Sequence, residues 1–430
     1  MPNQLHFGSA SAVAYTPHSR VLHWEGPPAE AIEDSRAATV AALAEPIDFP
    51  PLQMAVVTGD KVVLALEPNV PQAAAIIASV VEAVVQGGVS PSDITILRAE
   101  DDPQSAAQDP RAELSEASRQ QVQLATHHPA SRQDLSYLAA DEHDHPIYMS
   151  RLLFDADVVV PIGCVRLDGP LGYGGVHATL YPTFADQAAQ ERCRAAATDG
   201  RDGGDGHKAL APRPTRRSTG RRERTAAQNA EVTQDEAEHV AWLLGVVFTV
   251  QVVPGPTENV LHVLAGQLEA VLRRGRQLCQ EAWSFDVPQR ANLVVAAIDG
   301  DAPQQTWDNV GRAVAAAQRI VSDNGVIAVC TELAEAPGPG VRTAAAAENL
   351  EQAQRRLQKQ KPSDTPVAEQ WAQALSRARV YLLSRLEEEQ VEQLGAAYVT
   401  SADEIGRLIE RTDSCVLLGS AQYVLPTAVE

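Results

Sequence analysis

Apolar residues recur along this chain in two alternating rhythms. Positions 61–66 form a β-branched and apolar run with the period of a buried strand, closed by Pro68 and Pro71. Over 72–86 the apolar positions return at helical spacing, and Gly87 and Gly88 supply a stop. An apolar run at 94–97 completes a strand, helix, strand unit, which predicts parallel pairing. A polar, Ala- and Gln-rich stretch at 100–123 predicts a surface helix, and 156–162 a second buried strand. Further on, 235–244 predicts a helix, 246–253 a strand and 258–273 another helix.

The same rhythm then restarts. An apolar strand at 293–298, an amphipathic helix at 307–321 and a strand at 326–329 make a second βαβ unit. Charged helical spacing at 352–361 is followed by a helix at 367–377 and strands at 380–384 and 415–418. The polar segment 285–290, with Pro288, separates the two patterns. The expected architecture is therefore α/β: two domains, each a mostly parallel sheet flanked by helices, with a cleft between them. Residues 1–285 form the first, with an Arg-rich insertion at 198–225. Residues 286–412 form the second, and 413–430 are a tail expected to pack back on the first.

Length supports two cores, since 430 residues exceed what one usually serves. A formal charge of −21 argues against nucleic acid and anionic membranes, both of which require a basic footprint. No stretch approaches the ~20 apolar residues of a membrane span, and the first ten residues lack a signal pattern, so a cytoplasmic location is expected. Cys164, Cys193, Cys279, Cys330 and Cys415 are scattered without zinc or redox spacing and read as reduced, mostly buried thiols. His127, His128, His143 and His145 match no metal signature and read as polar loop. No metal site is predicted from spacing.

Chemistry concentrates around Gly172-Tyr-Gly-Gly175, which follows the strand at 156–162 and so lies where open α/β sheets place ligands. Gly172, Gly174 and Gly175 are candidate backbone ligands for an anion, with a tight turn as the plainer reading. Asp168 and His177 flank the loop as possible general bases, against a turn-capping aspartate and a structural histidine. Arg166 is a candidate carboxylate clamp, and Arg312 reaches the cleft from the second domain if its helix faces inward.

Several stretches, in order, resemble the nickel-dependent lactate racemase family: Ala42-Leu-Ala-Glu-Pro-Ile-Asp-Phe-Pro-Pro-Leu52, Gly59-Asp-Lys-Val-Val, His145-Pro-Ile-Tyr-Met-Ser-Arg151, Asp155-Ala-Asp-Val-Val-Val-Pro-Ile-Gly163, the glycine loop with Pro182, and Val380-Tyr-Leu-Leu-Ser384. The resemblance implies racemisation of a 2-hydroxy acid by hydride exchange with a nickel pincer nucleotide. Two histidines, a carboxylate-binding arginine and a cofactor-anchoring lysine would serve that reaction. Those positions are replaced here. Pro68 stands at the arginine, Pro103 at one histidine, Asp168 at the other, and Ala178 at the lysine, with His177 beside it. The metal-ligand histidine falls near Cys193, and Thr306-Trp-Asp-Asn309 with Arg312 replaces an aromatic-Gln and Lys pattern. Lysines occur only at 61, 208, 359 and 361. Two readings follow. One is a degenerate member that binds a small anionic ligand or a partner protein and does not retain the cofactor. The other is an active 2-hydroxy-acid racemase or epimerase built on Asp168, His177 and Arg312.

Overall fold

The computed structural model describes residues 3–17, 20–24, 26–27, 30–99, 109–141, 143–167, 176–198 and 226–429. Two six-stranded sheets dominate it. The first runs Val260–Gln267, Phe248–Pro254, Val158–Cys164, Val62–Leu66, Ile94–Arg98, Gln123–Thr126, and only its Val260–Gln267 edge is antiparallel. The second runs Ala397–Tyr398, Arg379–Leu383, Val321–Cys330, Ala291–Ala297, Cys415–Leu418, Val21–Trp24, and is parallel throughout. Strand Val62–Leu66 is buried at every position, as a central strand covered on both faces must be. Helix Ala73–Gln86 buries Ile76, Ile77, Val80, Val81 and Val84 against that sheet's core. The expected α/β class with mostly parallel sheets is what the chain adopts.

The division of the chain between the sheets differs from expectation. Strand Val21–Trp24 pairs with Cys415–Leu418 in the second sheet, and the hairpin Asn3–Phe7/Ser11–Tyr15 packs Leu5, Phe7, Val13 and Tyr15 on Leu293, Val295 and Leu417. Residues 3–24 thus belong with the second sheet, which the expected 1–285 boundary missed. The expected tail is likewise a correction: Cys415–Leu418 is an inner strand of the second sheet, and Leu425–Ala428 pairs with Ser284–Val287. Four-residue strands carry too little periodicity to reveal which sheet they join; pairing decides it.

The predicted helix at 258–273 is also overturned. Val260–Gln267 is a strand, and the helix begins at Leu268, capped by the Gln267 side chain, which accepts from the Ala270 N–H at 2.9 Å. Gly266 explains the break: its φ is +141°, and a Cβ there would stand 2.2 Å from the Ile47 carbonyl oxygen, so only glycine lets the two backbones meet. Of the surface helix expected at 100–123, the described part is helical at Glu116–Gln121, and Gln123 begins an edge strand.

The two sheets meet through one apolar cluster that contains Val63 and Ala65 from the first and Val294 and Ala296 from the second. Trp283 lies at the junction, its indole 5.5 Å from Trp24 and 5.1 Å from Tyr423 between ring centroids, and its N–H donates to the Pro254 carbonyl at 2.9 Å. Asp299 ties the same region with polar contacts. Its carboxylate accepts from the Thr257 N–H at 2.8 Å, the Ser420 hydroxyl at 2.6 Å and the Gln422 amide at 2.8 Å. Replacing Asp299 with Ala would leave these donors without their charged acceptor, and a loss of roughly 2–4 kcal/mol in urea unfolding is expected. An unchanged unfolding midpoint would show that the aromatic contacts alone carry the junction.

Candidate functional site

The strongest gathering of chemistry among the described residues lies at the carboxyl ends of the first sheet's central strands. Glu67 directly follows strand Val62–Leu66, and Arg166 follows Val158–Cys164. One Glu67 oxygen, Oε2, accepts from the Cys164 N–H at 2.9 Å and the Thr179 hydroxyl at 3.3 Å. Gly163 makes this approach possible, because a Cβ at that position would stand 2.3 Å from Oε2 and 2.4 Å from the Thr179 hydroxyl oxygen. Behind Thr179, Gln251 donates to Thr249 at 2.9 Å, and its own Oε1 is buried with no hydrogen-bond partner among the described residues.

The second sheet contributes Arg312. Its helix, Trp307–Ile320, is started by the Thr306 hydroxyl accepting from the Asn309 N–H, and Arg312 follows Asn309 by one turn and donates to its side-chain oxygen at 3.0 Å. Asn309 in turn donates to Gln304, to which the Tyr423 hydroxyl also donates, at 3.0 Å. Arg166 lies 5.7 Å from the centre of the Tyr423 ring, and its Nη1 is buried with no hydrogen-bond partner among the described residues. Two guanidiniums and one carboxyl, brought from elements of both sheets, therefore share a partly buried region.

Electrostatics follow from that burial. Desolvation raises the Glu67 carboxyl above its usual range, and the pull of Arg166, the Cys164 N–H, Arg312 and Thr179 offsets it only in part. Burial, and then the like charge of Arg166, bring Arg312 down to about 10. A groove opens beside the cluster, lined by Glu67, Pro68, Gln72, Arg98, Glu258 and Gln304 among others; Arg166 and Arg312 are not part of its lining.

His177 lies on the short turn Val176–Thr179, whose Thr179 reaches Glu67, but its own imidazole points elsewhere: Nε2 sits 2.8 Å from Glu269 Oε1. Asp168, Gly172, Gly174 and Gly175, and the Arg-rich run 199–225, lie outside the described residues. Pro103 does as well. Of the predicted site residues, the structure brings Arg312 together with Arg166 and places His177 one turn away. Glu67 was missed, although a glutamate immediately after a wholly apolar strand, at its carboxyl end, was a readable signal. Thr179 and Gln251 carried none.

The cysteines are buried and unpaired, as expected. Burial pushes the thiols of Cys164, Cys193, Cys279, Cys330 and Cys415 up to about 12. Among the described residues no helix is long and apolar enough to cross a membrane.

Two mostly parallel sheets whose strands and helices bring charged side chains together define an α/β protein with a polar site drawn from both. Residues 9–195 match the lactate racemase N-terminal domain family. The lactate racemase apoprotein from Thermoanaerobacterium thermosaccharolyticum is similar over 99% of this chain and 100% of its own, with a TM-score of 0.74 and 15% identity. A Thermotoga maritima protein solved in a structural genomics programme is similar over 93% of this chain and 100% of its own, with a TM-score of 0.67 and 12% identity. No curated protein matches. The match to the lactate racemase N-terminal domain family is thus confined to residues 9–195, and at these identities the solved structures speak for the fold alone.

Two outcomes are expected. At pH 8 a thiol reagent should label none of the five cysteines in the native protein and all of them in denaturant; fast native labelling would contradict their burial. Because folding raises the Glu67 carboxyl, its contribution is fully present below the unfolded value near 4.5 and is lost as pH rises through the folded value. Glu67→Gln should therefore gain stability over the parent as pH rises from 4 to 8 in chemical denaturation series, and a difference independent of pH would refute a raised carboxyl.

Proposed function

We propose that this protein binds a small anionic ligand, most simply a carboxylate, between its two sheets, with Arg166 and Arg312 as the clamp. The observation that carries this reading is the buried Arg166 Nη1, which has no hydrogen-bond partner among the described residues while a second guanidinium lies nearby. Unpaired buried charge is costly, and an anion bridging both groups relieves it. Glu67 does not serve as the counter-charge when it is protonated, the state its burial favours. A protonated Glu67 has instead an O–H to donate to a carboxylate. Planar, bidentate guanidinium recognition suits a carboxylate better than a spherical ion.

The nickel pincer nucleotide implied by the resemblance needs a lysine tether and a nitrogen or thiolate donor. Among the described lysines, Lys61 precedes strand Val62–Leu66 and so lies at the end opposite Glu67, while Lys359 and Lys361 close the helix Leu350–Gln360. Cys193, nearest the expected metal-ligand position, is a buried thiol pushed up to about 12 and bonded with Tyr181. These residues do not fit the group, and the proposed role does without it. This supports the binding reading over the racemase one. A cytoplasmic location belongs to the same proposal, supported by five free cysteines.

Titration calorimetry with D-lactate, L-lactate and phosphate tests the proposal. A carboxylate should bind, more tightly as pH falls toward the Glu67 range, and Arg166→Gln or Arg312→Gln should each weaken it by about 10- to 100-fold. No binding, or binding indifferent to both arginines, would remove the clamp. Interconversion of D- and L-lactate by the nickel-loaded protein would replace this reading with the racemase one.

A further inference from the structure

The imidazole of His177 faces away from Glu67 and into a second group of donors. His177 Nε2 lies 2.8 Å from Glu269 Oε1, and one ligand atom each from His177, Glu238 and Glu269 fall within 4.8 Å of one another. Three separate elements supply them: the turn Val176–Thr179, the helix Ala226–Leu243, and the first turn of the helix Leu268–Trp283. His177 is 6% exposed, and its Nδ1 is buried with no hydrogen-bond partner among the described residues. The turn that carries it is fixed, since the His177 carbonyl accepts from the N–H groups of Leu180 and Tyr181 at 3.0 Å and the Ala178 carbonyl from the Thr183 hydroxyl at 2.8 Å.

A second group, Asp141, His143 and His145, also meets within that distance, but its aspartate is committed to the backbone around it. Asp141 accepts from the backbone N–H groups of His143 and His145 and pairs with the His145 ring at 2.9 Å, and Arg192 stands 3.6 Å from the same carboxylate. That aspartate folds a hairpin tip beside a cation, which is a poor place for a metal ion.

We propose that His177, Glu238 and Glu269 form a binding site for a divalent transition ion, with zinc as the best fit. One imidazole nitrogen with two carboxylate oxygens suits zinc and its neighbours rather than the all-oxygen shells of magnesium or calcium. Three protein ligands leave a coordination position for water. The site is independent of the arginine cluster: it uses none of its residues, and His177 and Glu67 are engaged by different partners. Bonds near 2.0–2.2 Å place tetrahedral donors roughly 3.4 Å apart, so the 2.8 Å contact between His177 and Glu269 has to open to admit the ion, with Glu269 swinging outward. Glu269, whose side chain is 54% exposed, has the freedom to do so. Spacing along the chain gave no hint of it, because the three residues are far apart in sequence.

Calorimetry of the full chain, stripped of metal and titrated with zinc chloride, tests this. One equivalent should bind, and Glu238→Gln and Glu269→Gln should each weaken it at least 10-fold while circular dichroism stays native. Both replacements keep size and fold, so the test does not rest on the buried histidine. Cobalt(II) at the same site should give visible d–d absorption that zinc displaces and that His177→Gln abolishes. Absence of binding, or binding that survives both glutamine variants and is instead lost in His143→Ala/His145→Ala, would overturn the assignment.

Discussion

Burying the Glu67 carboxyl at the end of a parallel strand is the constraint around which the site is organised. A carboxyl taken from water must either be paired, hydrogen-bonded or protonated. Here the backbone of Cys164 and the hydroxyl of Thr179 supply two donors to a single oxygen, and the arginines lie near enough to lower the carboxyl's pKa through their charge. That arrangement dictates much of the sequence nearby. Residue 163 has to lack a side chain, residue 179 has to be small and hydroxylated, and the strand after Pro161 has to end facing the second sheet.

The junction between the sheets follows a different logic. Apolar contact does most of the joining, since Trp24, Trp283, Phe285 and Tyr423 pack with tilted rings into one aromatic group that belongs to neither sheet alone. Aromatic contact is poor at fixing register, however, and the polar bonds of Asp299 add direction. Tyr423 takes part in both: its ring faces Trp283 on one side and the Arg166 guanidinium at 5.7 Å, and its hydroxyl meets Gln304. Movement between the sheets would therefore be felt at the arginines directly.

Much of this fold was legible because long, strongly periodic elements are governed by local burial. Strand Val62–Leu66, helix Ala73–Gln86, helix Trp307–Ile320 and strand Cys415–Leu418 all lie where the apolar rhythm placed them. The failures share one cause. Val260–Gln267 was read as helix because its apolar residues suit either period, and only the close passage of Ile47 past Gly266 settles it. The site was half legible: Arg166 and Arg312 could be suspected from charge and position. Glu67 gained its meaning from desolvation, and His177 from carboxylates contributed by distant helices, neither of which a one-dimensional pattern contains.

The strand Val21–Trp24 carries a consequence for how the molecule comes into being. Its hydrogen-bonding partner, Cys415–Leu418, is separated from it by nearly the entire chain, and the whole first sheet lies in between. During synthesis the first sheet can collapse as soon as its strands emerge, whereas the other must wait, its earliest piece already outside the ribosome and still unzipped. The late-forming sheet holds Arg312, so the half of the molecule that completes the ligand clamp is the half whose assembly depends on the closing stretch of translation.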